Sequence, residues 1–154
     1  MQNNEQEFKK NVIDAFKLVL QDKIDVYESL LDSLTTDAQN DAKSSAGDKH
    51  ETTLSKLHIE QEKIAIKLKE AYIQLQQINK IDSSKKANQV VNGSLVVTNH
   101  VTVFICVALP KITINNMSIF AISPQSPLGV QLMGKTTRAI FQVNQVSYSI
   151  EKII

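Results

Sequence analysis

Two long apolar stripes occupy the first half of the chain. In the first, apolar residues recur at steps of three and four, which keeps one face of an α-helix apolar. The second stripe has the same spacing, interrupted only by one Gln, and this is the a/d pattern of a coiled-coil seam. The stripe positions are Ile13, Phe16, Leu20, Ile24, Tyr27, Leu31, Leu34 and Ala38 in the first, and Leu54, Leu57, Gln61, Ile64, Leu68, Ala71, Leu75 and Ile78 in the second. We therefore predict an antiparallel coiled-coil hairpin in which the two seams bury each other.

The segment between the two stripes is poor in apolar residues and carries carboxylates. We predict a first helix from about Glu5 to the low forties, which at about 1.5 Å per residue is about 55 Å long. The second helix is predicted from about Asp48 to Asn79. The tip of the hairpin then lies near residues 37–51, where the carboxylates are Asp37, Asp41, Asp48 and Glu51. The hairpin is expected to present these acids away from any core.

Composition changes sharply after residue 86. The preceding residues hold most of the charge, whereas residues 88–154 are rich in Val, Ile, Thr and Ser, and the β-branched residues among them favour strands. The polar run Asp82–Lys86 marks the change. We predict a helical hairpin over residues 1–82, a linker over residues 83–89 and a second domain over residues 90–154.

The second half predicts an α+β domain with an antiparallel sheet and one short helix. Asn115-Asn116 and Asn144-Gln145 suit tight turns, because Asn tolerates a positive φ. Ser126 suits a helix N-cap, Pro127 the first helical position and Gly134 the position after the last turn. The predicted strands are Ser94–Thr98, Val101–Leu109, Ile112–Ile114, Met117–Ile122, Ala139–Val143 and Val146–Ile150.

Charge and cysteine content bound the possible functions. The 17 Lys and Arg and the 16 Asp and Glu leave a net charge of +1, so no global field drives nucleic-acid binding. Cys106, the only cysteine, lies in an apolar run, which indicates a packed thiol rather than a nucleophile. His50, His58 and His100 lack partners at zinc-ligand spacing. Because the chain has no secretory signal and no apolar stretch of about 18 residues, we expect a cytoplasmic protein.

One motif in the second half is specific. The segment Ile122–Lys135 contains Ser126-Pro127-Leu128-Gly129, then apolar positions, then Gly134-Lys135, and two predicted strands follow it. This segment resembles the C-terminal domain of the Gre transcript cleavage factors, which has an FKBP-like fold. The segment Asp41–Thr52 resembles the hairpin tip of Gre-like proteins of the Bacteroidetes type. The resemblance covers nearly the whole chain.

The resemblance implies an accessory factor rather than an enzyme. Gre factors bind bacterial RNA polymerase through the C-terminal domain and pass the hairpin through the secondary channel to the active site. There the tip acids help to hold a Mg²⁺ and an attacking water, so that the polymerase hydrolyses the backtracked 3′ end of its own RNA. Mg²⁺ prefers oxygen ligands and needs only one or two more carboxylates. The implied partners are the polymerase and the nascent RNA 3′ end, with no tight binding of free DNA, no membrane and no cofactor besides the Mg²⁺ of the polymerase.

The tip matches the family pattern in part. Asp41 stands at the position of the family's Asp, whereas Ser44 and Gly47 stand where the family has Glu. The resemblance therefore implies Asp41, Asp48 and Glu51 as the acids that act in trans, with Asp41 and Asp48 as ligands of the polymerase-held Mg²⁺. Asp48 is the first candidate for the second acid and Glu51 the next. Asp48 and Glu51 also fit a capping box at the start of the second helix.

Three functions remain as alternatives. The first is a factor that stimulates transcript cleavage. The second is a Gre-fold regulator or inhibitor that enters the channel without stimulating cleavage, which Ser44 in place of Glu favours. The third is a free-standing enzyme, and the absence of a Gly-rich phosphate loop and of a Cys with an activating His disfavours it.

Overall fold

A computed structural model of the chain describes the backbone of residues 2–43 and 48–154 and the side chains of residues 3–40 and 51–154. The helices are α1 (Gln2–Lys43), α2 (Asp48–Asn79) and α3 (Pro127–Leu132). The strands are β1 (Leu95–Thr98), β2 (Thr102–Ile105), β3 (Leu109–Ile114), β4 (Met117–Ile122), β5 (Ile140–Val143) and β6 (Val146–Ile153). The described chain divides into two compact units, Val19–Leu75 and Met1–Leu18 with Gln76–Ile154. The predicted α+β class is confirmed.

The two apolar stripes are the faces that α1 and α2 bury. Every stripe position is buried or half-buried, and among residues 51–79 of α2, whose side chains the structure describes, the only other position that is not exposed is Gln74. Phe16, Leu20 and Ile24 are at most 1% exposed, and Ile78 is fully buried. Because α-helical periodicity alone selects these positions, the amphipathic pattern accounts for which face of each helix is covered.

Two side-chain contacts within Val19–Leu75 give the relative direction of the helices. The Gln61 amide donates a hydrogen bond to the Thr35 hydroxyl at 3.2 Å, and the Tyr72 phenol donates one to the Glu28 carboxylate. Residue numbers along α2 therefore decrease as residue numbers along α1 increase. The hairpin in this unit is antiparallel, as predicted.

The second unit contains a six-stranded sheet in the order β3-β4-β2-β1-β6-β5. The turns predicted at Asn115-Asn116 and Asn144-Gln145 are both two-residue loops in which both residues have positive φ, from 50° to 68°. This is the geometry of a type I′ hairpin turn, and Asn adopts it readily. The turns join β3 to β4 and β5 to β6, and each pair is antiparallel.

One strand pair departs from the predicted antiparallel sheet. β2 and β4 run parallel, with Thr102 opposite Ile119 and Ile105 opposite Ile122, so the sheet is mixed. The predicted strand Val101–Leu109 is divided in the structure, because β2 ends at Ile105 and the chain resumes pairing at β3. β3 contains Pro110, whose nitrogen cannot donate to a ladder, and it lies at the sheet edge, where proline is tolerated. β4 therefore lies between β2 and β3, strands that are adjacent in sequence.

The sheet covers an apolar core. Phe16 of α1 stacks on Phe104 of β2, with ring centroids 5.7 Å apart, and both side chains are fully buried. A further cluster of buried residues consists of Val90, Val96, Val103, Ile105, Leu132, Ile150 and Ile153. The start of α1 thus packs against the sheet at Phe104.

Replacing Phe16 by Ala is expected to lower the free energy of unfolding by about 3–5 kcal/mol, because it removes a fully buried ring and its stacking contact with Phe104. Urea unfolding followed by circular dichroism measures this value. Leu18→Ala is the matched control, since Leu18 is 63% exposed two positions away. Equal costs for the two variants would contradict the assigned packing.

Candidate functional site

The acid-bearing end of the hairpin lies where α1 ends and α2 begins. α1 ends at Lys43 and α2 begins at Asp48, so Glu51 lies in the first turn of α2. Glu51 is exposed, and no described residue forms an ion pair with its carboxylate. The backbone is helical at Asp41 and Asp48, but their side chains lie outside the described residues. Their assignment as tip acids and as Mg²⁺ ligands stays a prediction.

Ser44 and Gly47, where the family has Glu, also lie outside the described residues. Among the described residues, no three His, Cys, Asp or Glu side chains come together in a way that could hold a metal ion. The predicted chemistry of the tip is the sharing of carboxylate oxygens with a cation that a partner already holds. An exposed carboxylate such as Glu51 fits that requirement, since Mg²⁺ takes oxygen ligands and keeps much of its water.

A polar layer crosses the hairpin near its acidic end. The Gln61 amide nitrogen donates to the Thr35 hydroxyl, and the amide oxygen lies 3.1 Å from Nδ1 of His58. The Thr35 hydroxyl also donates to the Leu31 carbonyl at 2.8 Å. The one polar residue in the α2 stripe is thereby satisfied in a half-buried position. Polar residues at seam positions of coiled coils fix register, so this layer aligns the two helices close to the tip.

A second cross-helix contact lies further from the tip. The Tyr72 phenol donates to a carboxylate oxygen of Glu28, and this hydrogen bond raises the pKa of Tyr72. Both residues are exposed, so this hydrogen bond orients the two helices relative to each other but buries little surface. The sequence pattern predicts neither contact. The only signal in the sequence is Gln61, a polar residue at a seam position that needs a hydrogen-bond partner.

The Ser126-Pro127-Leu128-Gly129 motif forms the start of α3. The Ser126 hydroxyl accepts a hydrogen bond from the Gly129 nitrogen at 3.0 Å and donates one to the Ser123 carbonyl at 2.7 Å. Ser126 is thus the N-cap and Pro127 the first helical residue, as predicted. The cap satisfies one of the backbone N–H groups that an α-helix leaves unpaired at its start.

Gly129 has a specific steric role in this loop. A Cβ at this position would lie 2.2 Å from the Ser123 carbonyl oxygen and 2.8 Å from the Ser126 hydroxyl. No side chain fits into that space without moving the backbone. The glycine of the motif therefore has a physical reason in this chain, which is the close approach of the Ser123 loop to the helix.

Backbone hydrogen bonds hold the far end of α3. The Val90 nitrogen donates to the Lys135 carbonyl and the Gly134 nitrogen donates to the Val90 carbonyl, both at 2.8 Å. Gly134 has a φ of +80°, as predicted for the residue after the last turn. α3 is fixed at both ends, and it leaves Val130 57% and Met133 37% exposed. This exposed strip is a candidate contact surface.

Cys106 is expected to be a poor nucleophile. The thiol is buried, and burial raises its pKa from 9.0 to about 11, which makes the thiolate about a hundredfold rarer at pH 8. A thiol reagent should therefore react with the folded chain at least about a hundredfold more slowly than with the chain unfolded in urea. Equal rates, followed by absorbance at pH 8, would contradict the buried assignment.

Comparisons with known proteins return alignments to two solved structures along most of the chain. No family model and no curated protein matches the chain. The crystal structure of GreA factor homolog 1 (Gfh1) protein of Thermus thermophilus aligns over 90% of this chain and 94% of that chain, with 15% identity and a TM-score of 0.34. A structure of the transcription factor Gfh1 aligns over 89% and 92%, with 17% identity and a TM-score of 0.34.

No helix in the described part of the chain is long and apolar enough to span a membrane.

Proposed function

We propose that this protein is a transcription elongation factor that binds bacterial RNA polymerase and inserts its hairpin into the secondary channel. There its tip carboxylates help to hold Mg²⁺, and the polymerase cleaves its own backtracked RNA. The protein acts as an accessory factor in the cytoplasm. Its partners are the polymerase and the RNA 3′ end within that complex.

The antiparallel hairpin is the observation that carries the proposal. From Val19 to Lys43, at about 1.5 Å per residue, α1 extends about 36 Å to the end that carries the acids. In the described part of Val19–Leu75, the seam between α1 and α2 is a single narrow stripe of buried and half-buried positions, without a thick core. Such an element suits delivery of a few side chains to a distant site. This supports action in trans rather than catalysis by the chain alone.

The chemistry of carboxylates explains why acids belong at this tip. Bound Mg²⁺ stabilises the charge that develops during phosphodiester hydrolysis and lowers the pKa of a coordinated water. Asp41 and Asp48 would supply oxygen ligands to that cation, with Glu51 as the next candidate. A side chain that supplies an oxygen ligand is not consumed, so one factor molecule can serve repeated cleavage events.

Docking is assigned to the C-terminal domain, residues 90–154. The strip that α3 exposes, Val130 and Met133, is apolar and rigidly held, and both properties favour a protein contact. The net charge of +1 supports a protein partner rather than free nucleic acid.

A regulator without cleavage activity is the second candidate. Ser44 stands where the family has a Glu, and a serine hydroxyl carries no negative charge to hold a cation. If Asp48 serves only as a helix cap, the tip would enter the channel with a single acid. Such a protein would occupy the channel and exclude other factors.

Binding to polymerase tests the shared part of both functions. The full chain, immobilised, is expected to retain bacterial RNA polymerase at physiological salt and to bind a duplex DNA or an RNA of random sequence at least about a hundredfold more weakly. Fluorescence anisotropy measures the affinity for the DNA and for the RNA. Retention of nucleic acid but not polymerase would contradict both candidates.

A further inference from the structure

A cavity of about 610 Å³ lies in the unit formed by Met1–Leu18 and Gln76–Ile154. Side chains from the start of α1, the end of α2 and the connector to β1 surround it. Its charged lining residues are Lys9, Lys80, Asp82, Lys85 and Lys86. The volume is within the range of about 300–1,000 Å³ that is typical of small-molecule sites.

The charges around this cavity do not balance. Four lysines line it, and Asp82 is the only acid in the lining. Glu5, just outside, forms ion pairs with Lys86 and with Lys152. Hydrogen bonds from the Ser84 nitrogen and hydroxyl hold the Asp82 carboxylate and lower its pKa, so it stays ionised. An excess of positive charge remains.

Lys9 is the most confined of the four cations. It is 4% exposed, and its ammonium donates a hydrogen bond to the Lys85 carbonyl at 3.1 Å. Burial lowers the pKa of Lys9, and the charge of Asp82 only partly opposes this. No carboxylate among the described residues lies within ion-pair distance of Lys9, Lys80 or Lys85. A buried or clustered ammonium is costly unless an anion compensates it.

We propose that the cavity binds a diphosphate-bearing anion, either inorganic diphosphate or the diphosphate of a nucleotide. Ammonium groups bind phosphate oxygens as point charges, and two linked phosphates match the excess charge better than one carboxylate does. Ile81 and Val91 form an apolar wall, and the amides of Gln77 and Asn92 add donors and acceptors beside it. The site is separate from the tip acids, so it goes beyond the proposed function.

Isothermal titration of the full chain with inorganic pyrophosphate tests the site, and GDP and guanosine serve as parallel ligands. We expect saturable binding of one pyrophosphate per chain at low salt and no binding of guanosine. The double variant Lys80→Gln, Lys85→Gln should weaken pyrophosphate binding at least about tenfold. The Lys85 carbonyl, which holds Lys9, is unchanged in this variant. Circular dichroism confirms that it folds.

The matched control is Lys67→Gln, Lys69→Gln, which removes the same charge from exposed positions on α2. It should change the affinity less than about twofold. Pyrophosphate binding as tight as or tighter than GDP binding shows that the site recognises the diphosphate alone, whereas tighter GDP binding identifies a nucleotide. The absence of saturable binding of either, or an equal loss of affinity in the two double variants, would overturn the proposal.

Discussion

Replacing Asp41 and Asp48 by Asn is expected to reduce cleavage of backtracked RNA by about a hundredfold or more, with polymerase binding unchanged. Charge stabilisation through a metal ion contributes several kcal/mol to such a transition state, and each 1.4 kcal/mol is a factor of about ten in rate. An amide cannot supply the negative charge that holds the cation. The sequence predicts both acids at the hairpin tip, away from any core, where substitutions usually change stability by less than about 0.5 kcal/mol. Release of short 3′ RNA fragments from a stalled complex measures the rate.

The control is the pair Asp14→Asn, Asp22→Asn, which makes the same charge change at exposed positions of α1. It should cleave at the unmutated rate. Raising the Mg²⁺ concentration should restore part of the lost activity of the Asp41, Asp48 variant, because mass action offsets a lost ligand. Normal cleavage by that variant would instead assign the two acids to helix capping or to solvated surface.

The second large effect is expected from Gly129→Ala. The added Cβ would lie 2.2 Å from the Ser123 carbonyl oxygen, so the loop or α3 has to move. We expect a loss of about 3 kcal/mol or more in the free energy of unfolding, at the upper end of what overpacking costs. For a chain of this length the melting temperature should fall by about 6–12 °C. Polymerase binding should fall as well, since the displaced helix carries the proposed contact strip.

Val130→Ala is the matched control on the same helix. Val130 is 57% exposed, so its truncation should cost less than about 0.5 kcal/mol. The loss in the free energy of unfolding for Ser126→Ala should lie between those of the other two variants, at about 1 kcal/mol, because this substitution removes only the N-cap hydrogen bonds. A melting temperature of Gly129→Ala equal to that of Val130→Ala would show that the loop tolerates a side chain there.

Elements governed by local chemistry could be predicted from the sequence. The stripe from Leu54 to Ile78 fixed the buried face of α2, because an amphipathic helix has only one way to cover such a stripe. The Asn115-Asn116 turn and the cap at Ser126 follow from what those residues permit in the backbone. These features depend on neighbours within a few positions. They can therefore be predicted from a single sequence.

Features that depend on distant segments could not be predicted in the same way. The parallel pairing of β2 with β4 depends on where the β3–β4 hairpin packs, and no local pattern encodes it. The lysines of the cavity come from positions as far apart as Lys9 and Lys86, and only the fold brings them together. The contact between Thr35 and Gln61 is of the same kind, although a Gln at a seam position signalled it.

Transcript cleavage in a backtracked complex is the decisive assay for the proposed function. Bacterial RNA polymerase, stalled and backtracked on a template with 3′-labelled RNA, is incubated with the unmutated chain and Mg²⁺. We expect that short 3′ fragments are released much faster than by polymerase alone and that the shortened RNA can be extended again. If the chain binds the polymerase but releases no fragments, and blocks a factor that does release them, cleavage stimulation is contradicted and the regulator function replaces it.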